Sequence, residues 1–162
     1  MKNLNELIKK YQQELASGDM QIAYRAIFTV ISKIRSILSS KYPDYNVSSL
    51  YPGYMDMTYF SLTPTNLRKK QLKIAIVYLH ENNTFEIWLS ANNKRIQKMY
   101  IDKFKDSKLK GYSLSEPLPK VDSIIVKTIV TEPDFNDVDK LSCVIENEII
   151  AITDSVNEIL KT

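Results

Sequence analysis

The chain has 162 residues, 44% hydrophobic and 25% charged, with a net charge of +3. That length supports one domain, 1–162, with a full core, and the mild charge gives no strong case for nucleic acid or an anionic membrane as partner. One cysteine, Cys143, excludes an internal disulfide and a cysteine-based zinc site, and no apolar run is long enough to span a bilayer.

In chain order, "MKNLNELIKKYQQEL" lacks the apolar core of a secretory signal, so the expectation is a soluble cytoplasmic protein. Leu4, Leu7, Ile8, Tyr11 and Leu15 instead form one helical stripe over residues 3–16. Ser17 and Gly18 end that helix, and Asp19 is expected to cap the next, which runs to about Ser40. Its stripe of Ala23, Ala26, Ile27, Val30, Ile31, Ile34, Ile37 and Leu38 calls for packing on a core. Pro43 and Pro52 then break the helical pattern.

Strands are expected at 54–62, 72–79 and 84–91. Thr63-Pro64 marks a short helical turn between the first two, and "HENN" reads as the hairpin turn between the second and third. Asn92 or Asn93 caps a helix carrying Ile96, Met99, Tyr100 and Phe104. A loop leads to a fourth strand, 123–131. The last helix aligns Val138, Leu141, Ile145, Ile149, Ile152, Val156 and Ile159. The order α-α-β-β-β-α-β-α defines an α+β fold, with a largely antiparallel sheet of about four strands and helices packed on it.

Alternation along the hairpin assigns two faces. Leu72, Ile74, Ile76 and Tyr78 share the core face with Phe85, Ile87, Leu89 and Ala91. The reverse face holds Lys73, Ala75, Val77, Leu79, Thr84, Glu86, Trp88 and Ser90. This mixture calls for a cover over part of it: the last helix, a small-molecule ligand or a second subunit in a homodimer. In "GYMDMTYFSL" an unpaired carboxylate is costly in a core. Met55 and Met57 are therefore expected inward, and Asp56 on the mixed face beside Glu86 and Trp88.

The chemistry-bearing residues are sparse. Three glycines, at 18, 53 and 111, make no phosphate loop. His80 reads as a solvated turn residue and Cys143 as a small buried apolar one. No metal site and no cofactor follow from the sequence. Asp56 with Glu86 is the one acid/base pair on offer, and with Lys73 nearby it suggests a nuclease-like site. Glu86-Ile87-Trp88 lacks the lysine that a restriction-type nuclease places there. "RKK" at 68–70 and "NKR" at 93–95 make a basic rim.

The "L-x-E-L-I-x-x-Y" start, "GYMDMTYF", "LKIAIV", "FEIWL" and "N-K-x-I-Q" together resemble a family of small prokaryotic proteins described only as a domain of unknown function. The likeness spans nearly the whole chain. It implies no activity, but draws attention to Tyr54, Asp56, Glu86, Trp88, Asn93, Arg95 and Gln97. Two readings result. One is a binding or interaction module whose pocket is lined by Tyr54, Asp56, Lys73, Glu86, Trp88 and Arg95. The other is a hydrolase or nuclease-like enzyme using Asp56 and Glu86.

Overall fold

In the computed structural model, which describes residues 2–161, the apolar patterns resolve into five helices and six strands among the described residues. Helices α1 (Leu4–Leu15) and α2 (Asp19–Lys41) come first, then strands β1 (Asn46–Val47) and β2 (Met57–Thr63). A single turn, α3 (Thr65–Lys69), leads into the hairpin β3 (Leu72–Leu79) and β4 (Thr84–Ala91). Helix α4 (Lys94–Phe104), strands β5 (Ser113–Leu114) and β6 (Ser123–Thr131), and helix α5 (Val138–Lys161) complete the chain. All pairings are antiparallel, in the order β1-β2-β3-β4-β6-β5. The α+β class is as expected. The two extra strands are two-residue stubs, too short to leave an alternating pattern in the sequence.

The hairpin register is the expected one. Ile74 lies opposite Leu89, Ile76 opposite Ile87 and Tyr78 opposite Phe85. These residues are buried against Ile31, Ile34 and Leu38 of α2, Ile96, Ile101 and Phe104 of α4, and the stripe Leu141, Ile145, Ile149, Ile152 and Val156 of α5. The long helices thus contribute to one cluster on one face of the sheet. Helix α5 is part of that cluster and does not cover the reverse face.

Strand β2 corrects the expected orientation. Thr58 pairs with Tyr78 and Phe60 with Ile76, so Thr58, Phe60 and Leu62 point into the core. Met57, Tyr59 and Ser61 take the open face, opposite Leu79, Val77 and Ala75. Burying Phe60 and Leu62 decides the register. Asp56 imposes no penalty because it precedes the strand, in a turn where Met55 has φ +64° and Gly53 φ +70°. The strand begins at Met57 and not at Tyr54 for the same reason.

Two further expectations change, and one helical stripe proves bare. Gly18, at φ +82°, is itself the N-cap of α2, and Asp19 is its first helical residue. Cys143 is exposed, because it lies two positions from Leu141 and so about half a turn off the α5 stripe. The apolar stripe of α1 is uncovered: no α1 residue is buried, and Leu4, Leu7, Ile8 and Tyr11 are all exposed.

Candidate functional site

Antiparallel pairing lays the open face out in rows. One row runs Ser61, Ala75, Trp88, Val126, Ser113; the next runs Tyr59, Val77, Glu86, Thr128. Lys73 and Ser90 face each other one step along from Ala75 and Trp88. Ala75 and Val77 are buried yet stand apart from the helix-covered cluster. They form a floor of small side chains on the central strand, with the larger Tyr59 on β2 and Trp88 on β4 to either side.

The result is a cavity of about 290 Å³ on the open face. Ala75 and Val77 make its base, Met57, Tyr59 and Trp88 its apolar lining, and Lys73 and Ser90 its polar end. The start of α4 closes that end, through Asn93, Lys94 and Gln97. Asn93 caps the helix as the sequence suggested, its side-chain oxygen accepting from the Ile96 amide at 2.9 Å. Gln97 is buried and donates to the carbonyls of Val121 (2.8 Å) and Ser123 (2.9 Å), pinning α4 to the start of β6. Lys94 is bound to Asp122 at 3.1 Å, so those two lining charges offset each other. Lys73 has no ion-pair partner among the described residues.

The expected site residues separate into two groups. Lys73 and Trp88 line the cavity. Glu86 sits beside it on the same face and accepts the Trp88 indole N–H at 2.6 Å. Tyr54, Asp56 and Arg95 are exposed and do not line it. Asp56 and Glu86 therefore do not converge. The Asp56 carboxylate accepts from the Tyr54 amide at 2.8 Å, and its carbonyl accepts from the His80 amide. That backbone donation, from Tyr54 first, holds the carboxyl below its ordinary range. Asp56 stands in the turn before β2, where its charge acts on His80, while Glu86 lies within the sheet opposite Val77 and Thr128.

His80 is half-buried and not freely solvated. It is 2.8 Å from the Thr58 hydroxyl, with its ring near those of Tyr24 and Tyr78. Desolvation lowers its pKa, and the nearby Asp56 charge opposes that shift. The sequence reading misses Met57 and Tyr59 because it turns β2 over, and it misses Ala91 and Asp122 at the α4 end of the recess. The signal that could have found Met57 and Tyr59 was the Phe60, Leu62 pair two residues apart.

Fold and face together define an α+β protein with one side of its sheet under helices and the other open around an aromatic-flanked cavity. Residues 4–160 match the family described as Domain of unknown function (DUF7000), and the chain belongs to that family. No curated protein and no solved structure matches it.

Proposed function

We propose that the chain is a cytoplasmic binding module that holds a small organic molecule in the cavity on the open sheet face. The observation that carries this reading is the floor of Ala75 and Val77 between Tyr59 and Trp88. Small side chains at the centre of a sheet face, with large aromatic ones on both neighbouring strands, leave a concavity that the protein's own helices do not fill. Such a mostly apolar recess with a few polar groups at one end is the usual form of a ligand site. Lys73 and Trp88 are ligand contacts in this reading, and Glu86 positions the indole. The reading takes residues 1–162 as one α+β domain, since α2, α4 and α5 pack into the same buried cluster.

Filling the recess tests it. Ala75→Phe places a ring over the floor without touching the helix-covered core. A small planar compound that raises the melting temperature of the parent protein should leave Ala75→Phe unmoved. If a broad set of such compounds shifts neither protein, or shifts both equally, the cavity is not a binding site.

A further inference from the structure

We propose, building on the binding reading above, that the ligand class is a planar aromatic ring system carrying one anionic group. The ring lies between Tyr59 and Trp88, and the anion lies at the Lys73 end. Three observations carry this.

The first is spacing. Strands β2 and β4 flank β3, so their backbones are two strand spacings apart, roughly 10 Å. Tyr59 and Trp88 stand in adjacent rows, so the line between them runs diagonally over β3. It spans roughly 12 Å, and a ring midway lies roughly 6 Å from each, within the range at which aromatic pairs attract. The second is size. About 290 Å³ holds on the order of ten water-sized groups. That suits one fused ring system and excludes a dinucleotide.

The third is charge along the axis of the recess. At one end Glu86 is engaged with the Trp88 indole. At the other, Lys73 carries a charge that no acidic group among the described residues neutralises. Asp122 also lines that end, but it is held by Lys94. The N-terminus of α4 closes the same end of the recess at Asn93 and Lys94, and the positive end of its dipole adds to the Lys73 charge. A cation or a neutral ring gains nothing from this arrangement; a carboxylate or phosphate does.

Trp88 is the only tryptophan, so its emission reports on the recess alone. The test titrates naphthoate against naphthamide, and adenosine monophosphate against adenosine, at low and high salt. At least one anion should quench Trp88 saturably and bind about tenfold or more tighter than its neutral counterpart. High salt and Lys73→Gln should each remove most of that preference while leaving the neutral compound's affinity in place. The tighter of the two anions distinguishes a carboxylate from a phosphate ligand, and either result supports the proposal. Neutral rings that bind as tightly as the anions, or an anion preference that survives both salt and Lys73→Gln, would overturn it while leaving the binding reading intact. No quenching by any of the four compounds overturns both.

Discussion

Trp88 donates its indole N–H to the carboxylate of Glu86 across 2.6 Å, two positions away on the same face of β4. The bond anchors the polar edge of the largest side chain on the open face and directs a carboxylate that would otherwise be free to meet a ligand. A net hydrogen bond of this kind contributes about 0.5–1.5 kcal/mol.

Glu86→Gln keeps an acceptor for the indole and should leave Trp88 emission nearly unchanged. Glu86→Leu removes the acceptor. Its Trp88 emission should show lower anisotropy, with stability lowered by about 0.5–1.5 kcal/mol. Steady-state fluorescence of the two variants, beside denaturant melts, checks this; equal anisotropy in all three proteins refutes the anchoring role.

Ile76 is buried beneath the helices, between Phe60 and Ile87 in neighbouring strands. Ile76→Ala should lower stability by about 2–5 kcal/mol in urea unfolding. Lys73→Ala, three residues away on the open face, should stay within about 0.5 kcal/mol of the parent.

Gly53 has φ +70°, and a Cβ there would stand 1.9 Å from the Met57 carbonyl oxygen. The obstacle is backbone, which cannot swing aside. Gly53→Ala should therefore destabilise by more than the roughly 1 kcal/mol of the left-handed backbone alone. Thermal melts would show it, and a neutral substitution would mean that the turn before β2 is drawn wrongly.

The end of α2 is tied to α5 through Glu146, which accepts from the Lys41 ammonium at 2.7 Å and from the Tyr42 hydroxyl. Lys41, then Tyr42, holds the Glu146 carboxyl below its ordinary range. The same contact raises the Tyr42 pKa to about 12. The signs differ. The depressed carboxyl stabilises the fold above its unfolded pKa, and this is lost as pH falls through the folded value. The raised phenol stabilises the fold below its unfolded pKa of about 10, and this is lost as pH rises toward about 12. Melting temperature against pH should fall on both sides, and Glu146→Gln should flatten the acid limb and weaken the alkaline one. Tyr42→Phe should remove the alkaline contribution of this phenol and shrink the acid limb in part, leaving the share that Lys41 supplies.

Cys143 is exposed on α5. A thiol reagent should label it in the native protein without denaturant, and Cys143→Ser should change stability by no more than about 0.5 kcal/mol. Labelling that requires unfolding would return Cys143 to the interior.

The hairpin, its register and the stripe of α5 were legible because their period is strong and their members are mostly large aliphatics. Strand β2 was misjudged at one residue. Asp56 was read as part of a strand, and alternation then carried the error to every position through Leu62. The turn that excludes Asp56 depends on left-handed angles at Gly53 and Met55. Methionine gives no sign of such a conformation. The reverse face was recognised as mixed, and Lys73 and Trp88 were placed on it correctly. Tyr54, Asp56 and Arg95 were drawn in by their neighbours in the chain, and nearness in sequence does not bring them to the recess. The exposure of Cys143 was available from helical spacing alone, since it falls off the stripe that the sequence displays.

Both outer strands of the sheet are stubs. On one side, Tyr51 exchanges two backbone hydrogen bonds with Tyr59 and Ser48 donates to Ser61, so an irregular segment between Pro43 and Pro52 occupies the outer edge of β2. On the other, residues 113–115 occupy β6, and the chain then runs into Pro117 and Pro119. A long bare edge is a template on which a further strand can grow. Here the β2 margin is covered by a segment bounded by Pro43 and Pro52, and proline lacks the amide that lengthening it would require. The β6 margin is covered only where 113–115 pair with 124–126, so residues 127–131 are left as a short bare edge. Growth of the sheet is thus blocked on one side and confined to that short run on the other, while the broad aromatic face stays open.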